Sequence, residues 1–179
     1  NSMRLFPMGG QDMNRLFPGK GNHSASRYCA SIWNDIISRN PDVLIDLHTD
    51  AIDAIPYVIM DRVLSKDANL TSQMFELARA GGLSTLWEYD EDKYRKYELN
   101  NSLSGAFVNR IGKPALTIEV GPRRSINLHS VECMLGAVKR ILEHLDMVKP
   151  STEPRPSVQL DVGLWKRGNG PLALNEGYW

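Results

Sequence analysis

Apolar side chains recur along this chain at two different periods, and the periods take turns. From Ser24, which has the side chain of an N-cap, Tyr28, Ile32 and Ile36 form one i, i+4 row and Cys29, Trp33 and Ile37 the next. Two adjacent rows of this kind make the core-facing stripe of a helix. Asn40-Pro41 stops it, because proline disfavours helical geometry in the residue before it. The run Val43-Leu44-Ile45-Asp46-Leu47-His48 is too short for a helix and rich in branched side chains, so it predicts a buried strand. Ile55 to Met60 predicts a second strand, with Pro56 at its start or on a sheet edge. Leu70 to Ala80 is helical, with Met74, Leu77 and Ala78 on one face and Gly81-Gly82 as its stop. Leu83 to Trp87 is a short strand, and Pro114 to Gly121 repeats the apolar pattern of the first. From about Asn127 a long helix carries Val131, Leu135, Val138, Leu142 and Leu145 as its core face.

Strands that alternate with helices over this length predict an α/β domain with a mostly parallel sheet. That domain is expected over residues 1–148, with 149–156, which hold three prolines, as a linker. Residues 157–179 alternate like β-structure and read as the beginning of a β-rich second domain. Residues 1–22 lack periodicity and form an irregular segment. Glu88 to Asn101 is dense in charge and tyrosine and is expected to be a solvated loop or frayed helix.

Composition narrows the partners. Formal net charge is +0, so no basic excess argues for nucleic acid or for an anionic membrane surface. No apolar run approaches the length of a membrane span. Cys29 and Cys133 are too few for a disulfide framework and fit buried thiols in a reducing, cytoplasmic compartment. The chain opens on Asn1-Ser2-Met3-Arg4 with no element ahead of its first motif, so it is expected to be the middle of a longer protein.

The candidate chemistry sits at strand ends. Asp46 and His48 are two apart and leave the same face of a strand, which suits a metal ligand beside an orienting carboxylate. Glu119 stands near the end of the later strand, where by itself it reads as a strand-end carboxylate paired with Arg123 or Arg124. Asn14-Arg15 lies in the first loop, where a planar guanidinium suits two parallel hydrogen bonds to a carboxylate. Taken in order, Asp12-Met13-Asn14-Arg15-Leu16-Phe17-Pro18-Gly19, Asp46-Leu47-His48-Thr49 and Thr117-Ile118-Glu119-Val120-Gly121 resemble the succinylglutamate desuccinylase/aspartoacylase family. The resemblance covers about residues 1–148.

This resemblance implies a mixed sheet similar to that of the zinc carboxypeptidases. It also implies a zinc-dependent deacylase that cleaves an N-acyl bond in a small carboxylate-bearing substrate. One Zn2+ is implied, with His48 as one ligand and a His-x-x-Glu pair, expected upstream of residue 1, as the other two. Glu119 matches the general base, Asn14 and Arg15 the clamp on the substrate carboxylate, and Arg4 the group that polarises the scissile carbonyl. Arg110 and Trp87 are possible lining of an acyl pocket. His129-Ser130-Val131-Glu132 has the right letters but follows Glu119, so it is a decoy; His23 and His144 are surface residues. Two other readings stay open: a metallocarboxypeptidase acting on peptides, and a non-catalytic module that binds anionic amino-acid derivatives. A homo-oligomer is compatible with all three.

Overall fold

The computed structural model describes residues 9–19, 21–50, 54–121, 127–150 and 164–167. Arg4, Arg123 and Arg124 lie outside them. Five strands make one sheet: β1 (Leu44–Thr49), β2 (Tyr57–Met60), β3 (Ser84–Trp87), β4 (Ala115–Val120) and β5 (Leu164–Lys166), in the spatial order β1-β4-β2-β3-β5. β1 with β4, β2 with β3 and β3 with β5 are parallel, and β2 with β4 is antiparallel. The sheet is therefore mixed and mostly parallel. Short as it is, β5 is the fifth strand of this sheet.

Among the described residues five α-helices accompany it: α1 (Ser24–Ser38), α2 (Ala68–Gly81), α3 (Glu91–Lys96), α4 (Leu103–Ala106), which runs on into a π-helical turn (Phe107–Ile111), and α5 (Leu128–His144). One face is apolar: Val58, Leu116 and Ile118, which share it, are fully buried. Gly81 of α2 packs beside Val58 and Ile141, so α2 and α5 cover the Val58 face. Gly82, at φ 67°, ends α2 in the left-handed region. The other face carries Ile59 and Thr117 and is covered by the segment from α3 through α4, where Ser104 bonds the Thr117 hydroxyl at 2.9 Å. Among the described residues no helix is long and apolar enough to cross a membrane.

Three local expectations differ from the structure. Ser24 is the first residue of α1 and not its cap. His23 caps the helix, its Nδ1 accepting from the Ser26 amide at 3.2 Å. The charged stretch after Glu88 is neither loop nor frayed helix throughout. Its α3 buries Tyr94 completely, and a single inward ring outweighs the solvated charges on its other faces. On α5 the buried positions are Cys133, Ala137 and Ile141, one step round from the expected stripe, and Val131 and Leu135 are exposed. Here Ile141 packs against Gly81, and the Arg140 guanidinium donates to the Gly81 carbonyl. Proximity, not side-chain size, decides which face goes in.

Candidate active site

The register places side chains in rows. His48 pairs with Glu119, and Glu119 with Tyr57. One row along, Asp46 pairs with Thr117, and Thr117 with Ile59. All of these leave one face of the sheet, since paired residues share a face. One step past the pairs Met60–Trp87 and Trp87–Lys166 come Asp61, Glu88 and Arg167. There the Glu88 amide donates to the Met60 carbonyl and the Arg167 amide to the Trp87 carbonyl, each at 3.0 Å. A cavity of about 540 Å³ lies over this face, lined among others by Asp12, Asn14, Arg15, His48, Asp50, Tyr57, Asp61, Glu88, Ser102, Ser104, Glu119 and Arg167. Asn14, Arg15, His48 and Glu119 therefore share one cavity. The fifth expected site residue, Arg4, lies outside the described residues. Arg110 and Trp87 do not line it: Arg110 donates to Asn101 at 3.1 Å, and Trp87 lies under the Arg62 guanidinium.

His48 stands between two carboxylates. Its Nε2 is 3.0 Å from Asp46 Oδ2 and its Nδ1 3.5 Å from Glu119 Oε1. The bond to Asp46, then that to Glu119, push its pKa up to about 10 against the opposing pull of burial. Asp46 fixes the ring from one side, so the other nitrogen faces Glu119, the disposition a ligating imidazole with an orienting carboxylate would have. Glu119 Oε2 is buried without a hydrogen-bond partner among the described residues. Such an oxygen suits a water or a cation in the cavity. A catalytic zinc needs three protein ligands, and no group of three candidate ligand side chains comes together among the described residues. The described residues therefore hold no complete zinc ligand set. The pair His129 and Glu132 is exposed on α5, with His129 Nε2 3.6 Å from Cys133 Sγ, and lines no part of the cavity.

The loop that carries the clamp residues is held by its own polar groups. Asp12 caps the 3-10 turn Met13–Arg15 by accepting from the Asn14 amide. Asn14 Oδ1 accepts from the Leu103 amide at 2.8 Å, which ties the loop to the start of α4 and leaves the Asn14 amide donors for other partners. Arg15 Nη1 donates to the Asn14 carbonyl at 2.6 Å, and its charge, with that of Arg167, partly offsets the burial that raises the Glu88 pKa. The Asn14-Arg15 loop is thus anchored to α4 through its own side chains.

At the far end of the cavity lie charges that the sequence reading missed. Asp61 is 4% exposed; Tyr94 donates to its Oδ1 at 2.6 Å, and its Oδ2 is buried with no partner among the described residues. Asn109 steadies the Tyr94 side, donating to the Gly105 and Arg62 carbonyls. Glu88, 3% exposed, is bonded by Arg167 at 2.5 Å, and that guanidinium also lies over the Tyr89 ring. Adjacent strands are about 4.8 Å apart. Two carboxylates at that spacing repel by about 3 kcal/mol at an effective dielectric of about 20, which Arg167 and, more weakly, Arg15 offset at Glu88. Burial, chiefly, with help from Glu88 and Asp46, raises Asp61 to about 6, partly offset by the Tyr94 and Ser104 hydroxyls. The signal was available: Met60-Asp61 and Trp87-Glu88 both end an apolar strand on an acid, as Glu119 does.

The raised Asp61 pKa has a consequence for stability. Relative to its ordinary 3.8, the group adds stability that is complete below about pH 4 and is lost as pH rises through 6. Asp61→Asn keeps an acceptor for Tyr94 and removes the buried anion. The variant is therefore expected to be more stable than the parent above pH 6, by about 1–3 kcal/mol, with the gain shrinking toward pH 4. Denaturant midpoints at pH 4 and pH 8 measure this, and an equal change at both would refute it.

Comparison with known proteins agrees with this architecture. The family model for the succinylglutamate desuccinylase/aspartoacylase catalytic domain matches residues 1–145. A curated relative, the N-alpha-acetyl-L-2,4-diaminobutyric acid deacetylase of Halomonas elongata, is 26% identical over 166 residues, which are 89% of this chain and 45% of the relative. Among solved structures, a succinylglutamate desuccinylase/aspartoacylase from Rhodobacter sphaeroides superposes with TM-score 0.67 at 23% identity, over 91% of this chain and 46% of that one. The product-bound ectoine utilization protein EutE of Ruegeria pomeroyi gives 0.69 at 18% identity, over 93% and 47%. A metallo-carboxypeptidase from Burkholderia cenocepacia gives 0.57 at 18% identity, over 77% and 39%, so the fold is of the zinc-carboxypeptidase kind. The chain spans about half the length of these relatives. With the family model running from the first residue through α5, and the clamp loop, His48 and Glu119 on one cavity, the chain belongs to the succinylglutamate desuccinylase/aspartoacylase family.

Proposed function

We propose that the full-length protein is a zinc-dependent hydrolase of the N-acyl bond in small amino-acid derivatives that carry a carboxylate. The observation that carries this reading is Glu119: a half-buried carboxylate with one free oxygen, beside His48, in a cavity that also holds Arg15. The curated relative's name describes a deacetylase of this kind. Arg15 and the Asn14 amide hold the substrate carboxylate, Arg15 through two donors of its fork. Glu119 takes a proton from a water whose oxygen attacks the amide carbon. The C–N bond then breaks, and Glu119 passes the proton to the leaving nitrogen, releasing a carboxylate and an amine. Zinc, with His48 as one ligand and the rest outside the described residues, would supply a Lewis acid for the carbonyl and lower the pKa of the water. The free thiols Cys29 and Cys133 suit a reducing cytoplasm.

The test is a panel of N-acyl amino acids and C-terminally free peptides, assayed with the full-length protein alongside its metal content. Release of free amine from the acyl amino acids, with zinc bound, is the expected result. Turnover of peptides alone would make it a carboxypeptidase, and binding without turnover of either would sink the hydrolase reading. The clamp makes a separate prediction. Arg15→Lys keeps the charge but loses the fork, so KM is expected to rise about tenfold for carboxylate-bearing substrates and much less for uncharged amides. Equal effects on both, by steady-state kinetics, would remove Arg15 from the clamp.

A further inference from the structure

Tyr57 has one hydroxyl proton and two carboxylates beside it. The residue is 9% exposed in the cavity wall, and its hydroxyl donates to Asp50 Oδ2 at 2.7 Å. β4 lies between β2, which carries Tyr57, and β1, which leads into Asp50. The ring therefore reaches its acceptor by crossing β4 on the face from which Glu119 rises. The path over β4 is open: two residues past Glu119 the same face carries Gly121, which has no side chain. The Asp50 amide donates to the Val120 carbonyl at 2.9 Å, which keeps Asp50 beside that glycine. Glu119 is also the cross-strand partner of Tyr57, which sets their Cβ atoms about 5 Å apart. Its charge acts on the hydroxyl, third after burial and the Asp50 bond among the causes that keep it protonated. Glu119 Oε1 faces His48, while Oε2 is buried without a hydrogen-bond partner among the described residues.

A phenol has a single proton to donate, so Tyr57 satisfies one carboxylate at a time. A buried oxygen without a donor gains from any donor that can turn toward it, and the Tyr57 hydroxyl is on the neighbouring strand. Bonded to Tyr57, Glu119 Oε2 would have its lone pairs engaged by the phenol and not by a water. Resting on the hydrolase reading above, we propose that Asp50 is a positioning residue: by holding the Tyr57 hydroxyl it keeps Glu119 Oε2 open to the water that Glu119 activates. Asp50 touches neither the water nor the amide in this arrangement. Loss of Asp50 harms the reaction through Tyr57, and only while Tyr57 keeps its hydroxyl.

The experiment uses the full-length protein at matched zinc content and compares Asp50→Ala with the double variant Asp50→Ala/Tyr57→Phe. Amine release from N-acetyl amino acids is measured. Asp50→Ala is expected to lower kcat about tenfold to a hundredfold, the weight of one hydrogen bond to a charged group, with KM within about threefold of the parent. Removing the Tyr57 hydroxyl as well is expected to restore kcat to within about fivefold of the parent, so the second substitution repairs the first. Side chains that merely supported the fold would give the opposite order, with the double variant the slower. Asp50→Ser, too short to reach Tyr57, takes the place of the alanine variant should that one not fold. A crystal structure of Asp50→Ala supplies a readout that needs no turnover: Tyr57 Oη is expected about 2.7 Å from Glu119 Oε2. A double variant no faster than Asp50→Ala, or a Tyr57 hydroxyl that stays away from Glu119 in that structure, overturns the proposal and leaves the hydrolase standing. A parent that cleaves no amide overturns the hydrolase instead, and the position of Tyr57 in the Asp50→Ala structure still decides the competition.

Discussion

Glu119→Gln is expected to lower kcat by about a hundredfold to ten-thousandfold while leaving metal content and KM close to those of the parent. That range is what a positioned proton shuttle contributes. The substitution preserves shape and removes only the ability to take up a proton, because the amide cannot act as a base. Glu119 is paired across the sheet with His48 on one side and Tyr57 on the other, so the glutamine side chain has a place to sit. Tyr57 itself donates to Asp50 at 2.7 Å, and burial, with that bond, keeps its hydroxyl protonated. Single-turnover kinetics with a matched metal assay is the measurement. Activity within threefold of the parent would remove Glu119 from the reaction and return it to the role of a strand-end carboxylate.

Gly105→Ala should be among the most damaging single-methyl changes in the described residues. A Cβ there would lie 2.2 Å from the Leu99 carbonyl oxygen, 2.7 Å from Tyr94 Oη and 2.8 Å from Ser102 Oγ. The first of these is backbone, held by the turn in which the Ser102 amide donates to Leu99, and it cannot swing aside as a side chain does. The cost is about 3 kcal/mol, at the upper end for overpacking, or about 6–12 °C in melting temperature for a domain of this size. Activity should fall with it, because Tyr94 holds Asp61 and Ser102 lines the cavity. Gly112→Ala is the control. It has open space and φ 73°, so it meets backbone strain alone, about 1–2 kcal/mol. A Gly105→Ala protein that melts within 2 °C of the parent would mean that the Leu99 turn yields.

The strands were legible because each is a short apolar run bounded by polar or glycine residues, and that pattern survives any tertiary context. The meeting of Asn14, Arg15, His48 and Glu119 was legible only as three motifs in order, since nothing local says that a loop and two strand ends will face one another. Tyr94 was hidden by its neighbours. Six charged residues around it in α3 and its caps average out the one ring that anchors the segment. The face of α5 was misjudged because leucine and valine were weighted by size, whereas the inward positions are Cys133, Ala137 and Ile141, the last packed against Gly81. Residues 102–113 gave no periodic signal at all. Their π-helical turn and the Asn109 hydrogen bonds, including its acceptance from the Leu64 amide at 2.8 Å, depend on partners far away in sequence.

The Glu88–Arg167 pair spans 79 positions and bears on how the protein is made. A ribosome completes the first four strands, and with them both inward acids, well before the last strand leaves it. During that interval the nascent chain holds Asp61 and Glu88 side by side with no guanidinium from β5, a state that favours a proton on one of them or a looser wall. Pairing of β5 with β3 therefore sets the charge of this wall: until it forms, the guanidinium that bonds Glu88 is absent.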